Sequence, residues 1–257
     1  MSDIQTVKIG KLTFEIDDEN AILVKCEKDA EEIEIPAKVN GVIVSEIGSC
    51  AFEDCTALKS VALPEYTIEQ YYEDEDGLTM IGSNAFYNCT SLTEIHISYS
   101  VRIVGHGAFA GCTSLKKVWF DEFFAPFFHP YAFARCDSLV EFPAISNLNE
   151  GLFDGCKSLT TLPIQSYAGT IPERCFAHCT GLTEIVIPEG VDTIEGLAFR
   201  SCHELTKVTF ENTRGWRCSS IYFDAYDVDV TDPEQNAKML KCQDFDDGVV
   251  KWCRKTN

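Results

Sequence analysis

The sequence predicts an α/β solenoid: about seven coils, each a short parallel strand and a short helical or 3₁₀ turn, with a cap at either end. Three observations predict it. A pattern of five apolar columns recurs seven times. The spacing between units is 34, 23, 24, 20, 23 and 23 residues. Within each unit the apolar period switches from two to three.

The columns are read by anchoring on the cysteines Cys55, Cys89, Cys112, Cys136, Cys156, Cys179 and Cys202. A Phe stands three residues before each, from Phe52 to Phe199, and a Leu three after, from Leu58 to Leu205. Three further on is Val61, Ile95, Val118, Phe142, Leu162, Ile185 or Val208. Five before each Phe is Ile47, Ile81, Val104, Phe128, Leu148, Ile171 or Ile194. In "LTEIVIP" (182–188) Ile185 and Ile187 share one face of a strand that Pro188 ends. In "IGSNAFYNC" (81–89) the three-residue step from Phe86 to Cys89 fits one helical or 3₁₀ turn. A period of 20–29 residues with this content is the signature of a leucine-rich-repeat solenoid.

The units "IGSNAFYNCTSLTEIHI" and "IPERCFAHCTGLTEIVIP" resemble the BspA-like leucine-rich-repeat family, whose unit reads roughly IGxxAFxxCxxLxxIxLP. The resemblance covers residues 33–211, the expected solenoid. "KLTFEIDDENAILVKC" (11–26) resembles the strand pair that opens such domains, which makes 1–32 an N-terminal β cap. Residues 212–257 resemble the closing segment of bacterial members. There Asp232 can cap a helix, Pro233 suits its first position and Gln235 completes a capping box, so a helix is expected over 233–241. Trp216 and Trp252 read as cap packing. The resemblance implies a binding and adhesion protein, commonly at cell surfaces, with no catalysis and no cofactor.

The repeated cysteines read as small apolar core residues, one per coil. Their parallel Cβ vectors leave neighbours too far apart for a disulfide, and a row does not converge on zinc. Cys175 replaces an Ala of its column, and Cys50 falls in a variable one. Among Cys218, Cys242 and Cys253 one bridge is open. "HC" (178–179) and "CH" (202–203) invite a nucleophilic reading, but each Cys belongs to the core ladder and each His to a variable column. No P-loop, GxGxxG, HExxH or GxSxG motif occurs.

A formal net charge of −20 argues against nucleic acid or an anionic membrane as partner, and no apolar run is long enough to span a bilayer. The partner expected is another protein, such as a host or cell-surface protein, with self-association open. The opening residues lack a signal-peptide pattern, and thirteen cysteines without a framework suit a reducing compartment or burial. The resemblance points to the cell surface instead, so both compartments stay open.

The outward columns of the strands supply the candidate surface: Glu94, His96, Lys117, Trp119 and Asp121. A Trp on a solvated strand face is either a hot spot or covered by a loop. Phe123, Phe124 and Phe127 lie outside the core columns, where they form an exposed patch or a plug. The 34-residue spacing holds an insertion around "YTIEQYYEDED" on the same side. A carbohydrate-binding module using Trp119 and Phe123 as stacking platforms is the alternative.

Overall fold

The computed structural model describes residues 4–65, 77–120, 125–220, 223–241 and 250–255. Its contacts divide the chain into two compact units, 1–142 and 143–257.

The first unit opens with an antiparallel meander, β1 (Gln5–Ile9), β2 (Leu12–Ile16) and β3 (Ala21–Cys26). Next come β4 (Glu32–Glu34), β5 (Lys38–Val39), β6 (Val42–Ile47), β7 (Ser60–Ala62), β8 (Met80–Ile81), β9 (Glu94–His96), β10 (Ile103–Val104), β11 (Lys117–Trp119) and β12 (Phe127–Phe128). From β3 onward one sheet runs in parallel through β6, β8, β10 and β12. The strands after each Leu column form separate parallel pairs, β4 with β7 and β9 with β11. Each coil therefore contributes two short strands, and coils stack in register.

The second unit repeats this with β13 (Thr170–Ile171), β14 (Glu184–Ile187), β15 (Thr193–Ile194) and β16 (Lys207–Phe210). β13 pairs β15 and β14 pairs β16, both in parallel. The closing segment adds β17 (Trp216–Ser220), β18 (Phe223–Asp227), α1 (Pro233–Lys241) and β19 (Lys251–Arg254). β19 pairs antiparallel with β15, so a strand covers the edge of the last coil, and α1 packs on β16. Asp232 Oδ1 accepts the backbone N–H groups of Glu234 and Gln235 at 3.0 and 3.1 Å, capping α1. Trp216 and Trp252 are buried around Phe210, at ring distances of 4.8 and 6.0 Å.

The Phe, Cys and Leu columns are fully buried. The Phe rings stack: Phe52 on Phe86 at 4.6 Å, Phe86 on Phe109 at 5.0 Å and Phe109 on Phe133 at 5.3 Å. Five of the column cysteines do more than fill space, their S–H donating to the carbonyl of the Phe one coil back: in the first unit Cys89 to Phe52 at 3.2 Å, Cys112 to Phe86 at 3.1 Å and Cys136 to Phe109 at 3.3 Å. In the second unit Cys179 reaches Phe153 and Cys202 reaches Phe176, both at 3.1 Å. The thiol is thus a lateral tie between coils, of the size of a small apolar residue and with one weak donor.

The segment expected as a short helical turn is a pair of hydrogen-bonded turns, and helical turns play little part. The residues two before and two after every column Phe have positive φ: Asn84 (54°) and Asn88 (59°), Tyr131 (60°) and Arg135 (59°), Leu197 (63°) and Ser201 (59°), and so on through all seven coils. A left-handed residue on each side of the Phe stops a right-handed helix from propagating. Glycine fills both places in two coils, Gly107 with Gly111 and Gly151 with Gly155.

One coil departs from the pattern. Between Cys136 and Cys156 the spacing is 20 residues, and Phe142 and Leu148 are only half-buried, as is Leu162 of the following unit. That coil makes two isolated parallel bridges, Lys117 with Glu141 and Ile145 with Ile164, in place of strands. Three residues fewer than 23 leave too little chain for both strands of a full coil.

Candidate functional site

The register of β9 against β11 assembles the candidate surface. Glu94 lies beside Lys117 and His96 beside Trp119, with Ile95 and Val118 turned into the core between them. The His96 and Trp119 rings stack at 5.4 Å and 11°. The Lys117 ammonium stands 5.6 Å from the Trp119 ring centre, a cation–π contact, and 3.0 Å from the Glu141 carboxylate. His96 Nδ1 is 3.5 Å from Glu65 Oε1. These ion pairs are half-exposed or more, so each is worth about 0–1 kcal/mol and serves to orient side chains. The result is an aromatic pair at the centre of a sheet face, framed by Glu65, Glu94, Lys117 and Glu141. Trp119 is half-buried by these neighbours.

Of the remaining expected residues, only Phe127 is among those described, and it does not join this cluster. Asp121, Phe123 and Phe124 lie outside the described residues, as do most of the acidic insertion and Cys242. Phe127 belongs to β12, in the other sheet, beside Ile103 of β10. It is 48% exposed, with its ring edge-on to His129 at 5.2 Å. Glu65 is the member that the column pattern did not flag: it follows Pro64, just past the strand frame, and reaches His96 through space.

The two Cys–His dipeptides are split by the fold. Cys179 points inward to the Phe153 carbonyl. His178 points outward, with Nδ1 2.7 Å from Asp154 Oδ1, and Arg174 Nη2 lies 3.2 Å from the other carboxylate oxygen. Cys202 is likewise buried, while His203 is exposed. Burial pushes the Cys179 thiol well up and the Cys202 thiol up to about 12, which suppresses the thiolate that nucleophilic chemistry needs. Cys218 and Cys253 are free thiols. The register sets Cys218 opposite Trp252 and Cys253 opposite Arg217, so the two sulfurs belong to opposite faces of the sheet. Among the described residues no group of three His, Cys, Asp or Glu side chains could hold a metal ion, and no helix is long and apolar enough to cross a membrane.

Comparison with known proteins follows the coil pattern. The profile of the BspA type leucine rich repeat region matches residues 23–136 and 125–225, in six copies. Among solved structures, a leucine rich cell surface protein from Faecalibacterium prausnitzii is 27% identical, with a TM-score of 0.67 over 89% of this chain and 62% of its own. A leucine-rich repeat protein from Eubacterium ventriosum is 20% identical, with a TM-score of 0.61 over 86% of this chain and 54% of its own. The chain thus spans less than two thirds of either protein. No curated protein matches. Five apolar columns, coils stacked in register and a profile match across most of the length agree: the chain belongs to the BspA type leucine-rich-repeat family.

Proposed function

We propose that this protein is a non-catalytic binding module that engages another protein through the β9–β11 face. The observation that carries the proposal is the in-register cluster of Glu94, His96, Lys117 and Trp119. A stacked aromatic pair framed by charges of both signs has the composition of an interface hot spot: a large rigid contact area, partly desolvated, with oriented polar neighbours. The fold needs none of these four side chains for its core, which the alternate residues Ile95 and Val118 fill. The repeat family and the cell-surface description of the F. prausnitzii relative support adhesion as the setting. Asp121, Phe123 and Phe124, which follow β11 in the sequence, would extend the contact, whereas Phe127 lies in the other sheet. The sugar-binding alternative is less favoured, because a sugar needs an open aromatic face and the Trp119 ring already stacks on His96 and sits near the Lys117 ammonium.

The test is quantitative capture on immobilised protein, with three variants in parallel. Trp119→Ala should weaken capture of a protein partner by about 30-fold or more, a hot-spot loss, while the melting temperature stays within a few degrees. Lys117→Glu should weaken it as well, and Val186→Ala should not. Saturable binding on a glycan array with no protein partner would overturn the assignment. Unfolding of Trp119→Ala would show the ring to be structural.

A further inference from the structure

The edge of β4 points to a second, independent binding surface. β4 pairs on one side only, with β7. Glu31 O accepts from Lys59 N and Ser60 N, and Ile35 N donates to Ala62 O, so the odd-numbered residues face β7. In a parallel ladder alternate residues turn their peptide groups to opposite sides. The N–H and C=O groups of Glu32 and Glu34 therefore face away from β7, and among the described residues no strand meets them. The core column shows the same gap. Val118 and Ile95 are 1% exposed and Val61 is 8%, whereas Ile33, at the end of the row, is only half-buried. A groove of about 330 Å³ is lined by Glu32, Ile33, Glu34 and Pro36 together with Ile9 and Leu12 of the β1–β2 hairpin. By contrast, the neighbouring sheet is closed by the β1–β2–β3 meander, and β15 by β19.

We propose that the β4 edge takes an extended peptide from a partner protein by strand addition, and that the peptide alternates basic and apolar side chains. Strand alternation dictates this chemistry. Peptide residues opposite Glu32 and Glu34 share their face, and both carboxylates are exposed and outside any ion pair among the described residues. The residue between them shares the face of Ile33 and lies against Leu12 and Pro36. Lys11, the cation among the groove's lining residues, pairs with Asp29 at 3.1 Å, and Lys59, which interacts electrostatically with Glu32, is paired with Glu31. A second copy of this chain is a poor occupant through the same edge, because Glu-Ile-Glu against itself sets like charges opposite one another.

The test uses a fluorescein-labelled Lys-Val-Lys-Val-Lys peptide and its Glu-Val-Glu-Val-Glu counterpart, titrated into the full chain with anisotropy as readout. The lysine peptide should bind saturably and the glutamate peptide should not. Glu32→Lys with Glu34→Lys should weaken binding at least about tenfold. Glu189→Lys with Glu204→Lys, an equal change of net charge at exposed sites of the second unit, should leave it unchanged. Glu34→Pro removes an outward N–H without touching the β4–β7 ladder, and should weaken binding more than Glu34→Gln. Amide exchange at Glu32 and Glu34 should slow at saturation. Equal losses in both charge-reversed pairs would mean non-specific attraction of a polycation to an acidic protein. That outcome, protection at other amides, absence of saturation up to about 1 mM, or a wild-type dimer dissociated by the β4 reversals would each overturn the proposal.

Discussion

Removing one thiol from the ladder should cost measurable stability, and Cys112 is the place to measure it. Its sulfur is fully buried and lies 3.1 Å from the Phe86 carbonyl. Cys112→Ala deletes one buried heavy atom, worth about 1 kcal/mol by analogy with Ile→Val truncations. It also deletes a weak hydrogen bond, about 0.5 kcal/mol at the low end of the usual range. The larger penalty for an orphaned carbonyl does not apply, because Phe86 O keeps the N–H of Cys89 at 3.2 Å. The expected loss is about 1.5 kcal/mol, or a melting temperature about 3–6 °C lower. Urea denaturation followed by circular dichroism, in reductant, measures it. Cys112→Ser decides the cause. A serine hydroxyl can still donate to Phe86, so its stability should fall between wild type and alanine. A serine variant less stable than the alanine variant would refute the hydrogen-bond argument and leave the column as plain apolar packing.

Three further outcomes follow from the same coils. Gly111 has φ 78° with only ordinary contacts around an added Cβ, so Gly111→Ala should cost about 1 kcal/mol from backbone strain alone, while Arg135→Gly, at the equivalent place one coil on, should stabilise; both are read from urea midpoints. Burial raises the Cys202 thiol from 9.0 to about 12 and raises Cys112, Cys136 and Cys179 as well, so unfolded thiols ionise before folded ones; the contribution is complete below pH 9 and is lost as pH climbs through the folded values, and stability measured against pH should fall from about pH 9 upward, less steeply in Cys202→Ala. Asp232→Ala removes the carboxylate that caps α1 and should cost about 1 kcal/mol, with early loss of amide protection in that helix on hydrogen exchange.

The core was legible because it is written once per coil. A residue that must meet its own counterpart above and below is constrained identically in each unit, so Phe86, Cys89 and Leu92 could be placed from spacing alone. The α1 cap was legible for a local reason: Asp232, Pro233 and Gln235 act within one turn. The turn conformation was not. A three-residue apolar step fits a helical turn and a pair of β-turns equally well, and the left-handed places carry Cys, Asp, Asn, Gly, Tyr, Arg, His, Leu or Ser with no common chemistry. The cysteine's second role was hidden too, because composition gives its size and not the carbonyl one coil back that it meets.

The surface is harder for a reason intrinsic to solenoids. The proposed binding face is assembled from residues about one period apart, as His96 and Trp119 are, and each belongs to a column that the fold leaves free to vary. No local motif marks such a pair, and only the register brings it together. The same logic makes the coil ends informative. The sheet through β6 is covered at its start by the β1–β2–β3 meander and β15 by β19, whereas among the described residues no strand covers the outer edge of β4. At that edge the core column loses its cover and the outward column turns acidic, with Glu32 and Glu34 where the next strand carries Ser60 and Ala62. A charged edge discourages pairing with a copy of itself while remaining open to a strand of opposite charge, so one feature of the sequence both guards the edge and selects what can occupy it.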